Sequence, residues 1–261
     1  MDLKGKTIVL TGAAGGMGNE IAEALAAEGA RLLLVDINET AIHALANRLN
    51  GNHATAAVDL TSEDGRAALL AECQKVAPID VLINAAGMSE FTMFEKQNPA
   101  RLEKMTTINL IVPMLLCQSL LPMLKERPDA AIVNIGSTFG SIGHPGFATY
   151  CANKFGLRGF TEALRRELSD LPLRILYLAP RATRTDMNSA AVNGLNEELG
   201  NAVDDPEVVV KSLLSLLKSG TNTPRFIGWP EKLFVRLNGL APGIIDRAMR
   251  SRLPVIRRYA G

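Results

Sequence analysis

Lys6 to Asp36 reads KTIVLTGAAGGMGNEIAEALAAEGARLLLVD, and its pattern decides the fold. Lys6 to Leu10 is a short β-branched apolar run. It leads through a glycine-rich turn into NEIAEALAAEG, whose apolar residues recur at helical spacing and stop at Gly29. Arg31 to Asp36 is then almost continuously apolar, the composition of a strand covered on both faces of a parallel sheet. One strand, glycine turn, helix and strand are thus set in order.

The same unit recurs along the chain. A helix is expected from Glu39 to Leu49, a weak strand from His53 to Val58, and a helix after Thr61 or Ser62 that runs towards Val76. Ile79 to Ile83 is a strand ending in NAAG. A long helix is expected through Asn109 to Lys125, a strand over Ala130 to Ile135, a helix from Ala148 to about Leu168 and a strand over Leu173 to Leu178. Six such units imply one doubly wound α/β domain, with a parallel sheet, right-handed crossovers and helices on both faces. Ligands of such sheets bind beyond the strand C-termini, where the polar motifs fall. Arg225 to Gly228 adds a short last strand, giving about seven.

Composition narrows the function. The 261 residues carry a net charge of +1, too small for a nucleic-acid binder. Cys73, Cys117 and Cys151 are far apart, and with His43, His53 and His144 they form no metal-ligand spacing. A reducing cytoplasm and no metal are expected. The N-terminus lacks the features of a signal peptide, so the mature protein is expected to start there. Thr106 to Leu124 is uncharged, but it contains Asn109, Pro113, Gln118, Ser119 and Pro122, and it reads as a helix buried within or between subunits.

The chemistry begins with the glycines. Gly12, Gly15, Gly16 and Gly18 lie between a strand and a helix N-terminus, where amides and the helix dipole favour a phosphate. A turn that only lets strand and helix pack closely would have the same sequence. Asp36 ends the second strand, where a carboxylate can accept hydrogen bonds from an adenosine ribose and repel a 2′-phosphate. No cation stands at Ala13, Ala14 or Ile37, so NAD is expected over NADP; a helix-capping acid is the blander reading. Tyr150 and Lys154, four residues apart, share one helix face, where the ammonium would lower the phenol's pKa; a solvated helix edge carries the same spacing.

Taken in order, these motifs resemble the short-chain dehydrogenase/reductase family from about Lys4 to Phe226. TGAAGGMG is similar to the family's TGxxxGxG. NAAG, residues 84–87, resembles the segment that supports the central sheet beside the cofactor, and Asp59 resembles the residue that contacts adenine. Asn109, Ser137, Tyr150 and Lys154 fall on the catalytic tetrad. The resemblance implies that Tyr150 exchanges the substrate's hydroxyl proton and Ser137 orients the oxygen. Lys154 would bind the nicotinamide ribose and lower the phenol's pKa, and Asn109 would hold a proton-relay water. It implies a Rossmann-type catalytic domain over 1–228. The cofactor set is Gly12, Gly15, Gly16, Met17, Gly18, Asp36, Ile37, Asp59, Leu60, Asn84, Ala85, Ala86, Gly87, Tyr150, Lys154, Pro180, Thr183 and Thr185.

The expected activity is NAD(H)-dependent interconversion of a secondary alcohol and a ketone. Met187, Leu195, Leu199 and Val203 in the segment around 186–205, together with the tail, suggest an apolar substrate. Steroid-like, acyl and small aromatic alcohols all remain open. The alternatives are a 3-oxoacyl thioester reductase acting on a carrier-bound chain and a non-catalytic NAD-sensing module on the same fold. A homodimer or homotetramer is implied through the uncharged helix and the Tyr150 helix.

Three segments stand apart. The family's PGxxxT becomes Pro180-Arg181-Ala182-Thr183-Arg184-Thr185, so Arg181 replaces a glycine. With Arg184, it could face an anionic substrate group or the cofactor's pyrophosphate, or simply solvent. Residues 187–205 break the alternation and read as a mobile lid loop. Pro224 to Gly261 holds eight basic residues and two acidic ones, with Pro230, Pro242 and Pro254 expected to divide 229–261 into short helical pieces. This C-terminal extension suits an anionic membrane, an acidic carrier, or a cap on the protein's own cleft or subunit interface.

Overall fold

The computed structural model describes residues 1–261. Seven parallel strands form one sheet: β1 (Thr7–Thr11), β2 (Arg31–Asp36), β3 (Ala54–Ala57), β4 (Val81–Asn84), β5 (Ala130–Ile135), β6 (Leu173–Ala179) and β7 (Arg225–Phe226). Their spatial order is β3-β2-β1-β4-β5-β6-β7. The chain winds outward one way from β1 and then the other way from β4, so the crevice opens between those two strands. Their register is fixed by Thr11 beside Val35 on one side and Asn84 on the other.

Both faces are covered. Ile8 and Leu10 of β1 join a core with α1 (Gly16–Ala27), α2 (Glu39–Arg48) and α8 (Pro206–Lys218), whereas Val9 points into a second core. That second core lies against α3 (Glu63–Val76), α5 (Val112–Lys125) and α6 (Ala148–Glu167). Alternate side chains of a strand point to opposite faces, so an unbroken apolar strand needs both layers. The uncharged run is explained the same way. α4 (Pro99–Thr106) continues through a π turn at Thr107–Ile111 into α5, which buries Val112, Leu116, Leu120 and Leu124 in the second core. Residues 99–125 are long and apolar enough to cross a membrane, yet this stripe packs on the sheet.

Local chemistry sets the boundaries. Gly29, at φ 80°, follows α1. Ser62 caps α3 by accepting from Gly65 N at 3.0 Å. Two expectations are corrected. The segment read as a lid loop contains a helix, α7 (Ala190–Glu198), capped by Ser189. Small and polar residues, Asn193, Gly194 and Asn196, give this short helix the composition of a loop. In the tail, α9 (Glu231–Leu240) and α10 (Pro242–Tyr259) form, and Pro254 sits inside α10 without dividing it. Proline removes one N–H, but the exposed backbone around it can be satisfied by water.

α10 buries Ile245 and Ile256 and lies on α7, where Gly194 makes room for the Tyr259 ring and Glu198 accepts from Arg258 and Tyr259. Residues 229–261 therefore pack on the rest of the chain rather than trail from it.

Candidate active site

A cavity of about 530 Å³ opens at the C-terminal ends of β1 to β6. Gly12, Gly15, Gly16, Met17, Gly18, Asp36, Ile37, Asp59, Leu60, Ala85, Ala86, Gly87, Asn109, Ser137, Tyr150, Lys154, Pro180 and Thr185 all line it. Residues spread over more than 170 positions converge on one surface because each follows a strand of the same sheet.

The floor of the cavity fits a dinucleotide. α1 begins at Gly16 with no side-chain cap and no acid in its first turn, so its first amides face the cavity unpartnered by side chains. Closeness demands the glycines: a Cβ on Gly18 would stand 2.0 Å from Gly12 O. Asp36 is held by Ala14 N at 3.0 Å and Asn38 N at 3.1 Å, which fixes its carboxylate at the rim beside the glycine turn. Asp59 accepts from Thr61 N and Oγ1, and these bonds, chiefly that from the side chain, hold its carboxyl below the usual carboxylate range. Two members of the expected set do not reach the cavity. Asn84 donates to Asn134 Oδ1 at 2.8 Å, tying β4 to β5, and buried Thr183 donates to Arg181 O.

The four expected catalytic groups are held from three elements. Asn109 sits in the π turn, where it is locked to Met88 by accepting from its N–H at 2.9 Å and donating to its carbonyl at 2.8 Å. Such turns re-aim a residue off its helix face. Ser137 follows β5 and caps a 3₁₀ turn, Thr138–Gly140, through Phe139 N. Tyr150 and Lys154 share a face of α6, with Lys154 Nζ 5.7 Å from the ring centroid and donating to Ile135 O at 2.9 Å.

This geometry reverses one expectation. The Tyr150 phenol is pushed up to about 12 rather than lowered: burial strips water from the phenolate, and the neighbouring Ser137 works only partly against it. The Lys154 ammonium itself is brought down to about 8 by burial. Its proton points to a backbone carbonyl, so its charge does not rest on the phenol oxygen.

The same burial sets the response to alkali. Loss of water pushes Cys73 and Cys117 from 9.0 to about 12 and Cys151 to about 11. Above pH 9 the unfolded chain loses thiol protons that the fold retains, and each group then withdraws about 1.4 kcal/mol of stability per pH unit. Lys154 acts oppositely between 8 and 10.5, because there the unfolded chain holds the extra proton. We therefore expect unfolding stability to peak near pH 9 and to fall by about 3 kcal/mol from pH 9.5 to 10.5. Urea titrations across that range check it, and Lys154→Met should remove the rise between pH 8 and 9.

Met187, expected to face an apolar substrate, lines the cavity. Several other lining residues carried no sequence signal for the site: Met88 and Ile108 provide apolar walls, while Lys104 and Thr61 stand near Asp59. Phe139 and Phe147 lie edge-on to Tyr150 at 6.4 and 6.3 Å, and Phe91 stacks on Phe147. Leu195, expected to face substrate, is buried in α7 instead. Beneath the site, the buried Tyr177 ring fills the room left at Gly136, where a Cβ would stand 2.1 Å from its Cζ. It thereby underpins the loop that carries Ser137.

Arg181 corrects another expectation. It grips Asp204 with two bonds, at 2.9 and 2.6 Å, and Glu231 at 3.1 Å, and it donates to Trp229 O. Its guanidinium is thus neutralised away from the cavity, and its backbone has negative φ. The physical reason is Gly228, at φ 97°, which leaves room for the arginine stem. Arg181 ties the end of β6 to the turn before α8 and to the start of α9. Arg181→Gly should leave cofactor and substrate constants within about twofold while lowering stability by about 2 kcal/mol, because two part-buried carboxylates lose their partner. Urea unfolding alongside steady-state kinetics checks both halves.

Comparison with known proteins adds a sequence relationship to this geometry. A family model described as short chain dehydrogenase matches residues 6–196, ending before α8, β7 and the two C-terminal helices. The chain is 30% identical to a 3-oxoacyl-[acyl-carrier-protein] reductase of Rickettsia bellii over 203 residues, which cover 78% of this chain and 81% of that one. It is 32% identical to a D-threitol dehydrogenase of Mycolicibacterium smegmatis over 196 residues, covering 74% and 75%. A solved Beutenbergia cavernae structure, described as an NAD(P) dependent gluconate 5-dehydrogenase with bound NADP, is similar with a TM-score of 0.79. Its identity is 25%, over 86% of this chain and 96% of that one.

Proposed function

The chain belongs to the short-chain dehydrogenase/reductase family of oxidoreductases acting on CH–OH and C=O groups with a nicotinamide cofactor, and we propose that it interconverts a secondary alcohol and a ketone on an apolar substrate, using NAD(H). The observation that carries this reading is the convergence of Asn109, Ser137, Tyr150 and Lys154 on the cavity that the glycine turn floors.

The bound cofactor would supply or accept the hydride. The first amides of α1 would hold its pyrophosphate, with Thr185 beside Gly16, and Asp36 would accept from its adenosine ribose. Tyr150 gives a proton to the substrate oxygen during reduction and takes it during oxidation, while the Ser137 hydroxyl orients the same oxygen. Alkoxide character develops on that oxygen, so two hydroxyls aimed at it stabilise the transition state more than the ground state. Lys154 would move from Ile135 O onto the nicotinamide ribose and bring its charge to the phenol. Asn109, fixed by Met88, would hold a water that passes protons outward.

NAD is preferred on the strength of the Asp36 carboxylate. Met88, Ile108, Met187 and the aromatic group beside Tyr150 favour an apolar substrate. Exposed Ile111 of the π turn, Met114 of α5 and Phe155 of α6 suit a homo-oligomer contact. A second reading, reduction of a 3-oxoacyl chain on a carrier, is favoured by the Rickettsia bellii relative and by the basic C-terminus.

The test is a screen of NAD-coupled turnover across secondary alcohols, ketones and 3-oxoacyl thioesters of increasing chain length, with Tyr150→Phe as control. Rising kcat/KM with apolar length for free alcohols supports the first reading. Turnover confined to thioesters supports the second. No Tyr150-dependent turnover with any of them would overturn both.

A further inference from the structure

α9 presents its apolar side outward. At about 100° per residue, Leu233, Leu237 and Leu240 form one stripe, and Glu231, Val235 and Asn238 form the opposite one. It is the polar-bearing stripe that faces the protein. Glu231 pairs with Arg181, and Asn238 donates to Ser141 O at 2.9 Å. Phe234 is 40% exposed, Leu233 47% and Leu240 88%, and no residue of the helix is buried. Trp229 before the helix, 69% exposed, and Ile244 after it extend the apolar surface.

An apolar surface of this kind on a soluble domain marks an interaction. Its rim gives the partner's sign. Lys232, Arg236, Arg247 and Arg250 are exposed around it, whereas Glu231 is already neutralised by Arg181 and Asp246 is the remaining acid from Pro230 to Arg252. A two-fold contact with a second copy through this face would bring the basic rims of both copies together, which opposes association. An anionic bilayer presents the opposite charge at its surface and a hydrocarbon layer just beneath, matching cations beside outward leucines and a tryptophan.

We propose that the Trp229–Ile244 face is a peripheral docking surface for anionic membranes, with Leu233, Leu240 and Trp229 entering the headgroup boundary and Lys232 and Arg236 contacting acidic headgroups. The Asn238 to Ser141 bond joins this face to the loop that follows Ser137, so the active-site mouth lies beside the docked surface.

Trp229 is the chain's single tryptophan, so its fluorescence reports the face directly. The full-length protein is titrated with vesicles of phosphatidylcholine, alone or mixed with phosphatidylserine. A blue shift and co-sedimentation with the mixed vesicles only, both reversed by high salt, are expected. Lys232→Gln with Arg236→Gln should weaken binding by about 30-fold, and Leu233→Asp with Leu240→Asp should abolish it. Both pairs are expected to keep turnover and melting temperature, since these side chains are exposed or half-buried outside the cavity. Three results would overturn the proposal: no shift with either vesicle, a shift that grows with protein concentration without lipid, pointing to a second copy, or a shift produced only by an acidic carrier protein.

Discussion

Tyr150→Phe is expected to lower kcat by about 10³ to 10⁴ while leaving the dissociation constant for NADH within about twofold. The ring fills the same space, so its edge-on contacts with Phe139 and Phe147 persist, and Lys154 keeps its bond to Ile135 O. What disappears is the one hydroxyl on α6 that can deliver a proton to an oxygen held by Ser137. General acid catalysis contributes about two to four powers of ten, and the loss is placed at the upper end because Tyr150 is the one expected proton donor among the tetrad groups on the half-buried cavity wall. Cofactor binding measured by fluorescence quenching, beside single-turnover hydride transfer, separates the two effects. If hydride transfer stayed within tenfold of the unaltered protein, Tyr150 would not be the acid. The phenol's high value, about 12 before any cofactor binds, sharpens this expectation. Lys154→Met should then move the ascending limb of the pH profile for alcohol oxidation to higher pH, since without a nearby ammonium the phenolate is harder to form.

The second large effect concerns the cofactor's 2′ position. Asp36→Ala combined with Ile37→Arg is expected to reduce the ratio of kcat/KM for NAD over NADP by about 10² to 10³, to the point of inverting it. Asp36 is pinned between Ala14 N and Asn38 N, so it cannot swing away from an added phosphate. Two unit charges about 4 Å apart at an effective dielectric near 20 repel by about 4 kcal/mol, roughly a thousandfold, and solvent at the rim reduces that. Ile37 is 65% exposed, so an arginine there has room to reach a phosphate without disturbing the core. Parallel kinetics with both cofactors decide the matter. An unchanged ratio would show that Asp36 does not discriminate, leaving a cap for the following turn as its role.

The layout of the fold could be read from the chain because period and punctuation agreed at every level. β1, β2, β4, β5 and β6 are apolar runs buried on both faces, and turn or capping residues such as Gly29 and Ser62 mark where helices stop or begin. α7 was not legible because Ala190–Glu198 is only nine residues long and its Asn193, Gly194 and Asn196 are residue types that loops share. The continuity of α10 through Pro254 was missed because proline's usual effect is a helix break, which an exposed backbone with water available can escape.

The sequence by itself determined the doubly wound sheet, the glycine turn and the place of Asp36 at a strand end, because each of these depends on local spacing or on the rule that strand ends gather at one edge; the four tetrad positions were marked by resemblance to the family rather than by spacing. Only the tertiary structure decided where charge comes to rest. Arg181 faces Asp204 and Glu231 rather than a ligand, Lys154 donates its hydrogen bond to Ile135 O rather than to Tyr150, and α9 turns Leu233 and Leu240 outward. The physical reason is common to all three. Partners distant in sequence compete for each charged or apolar group, and the winner is set by burial and distance, which spacing along the chain does not encode.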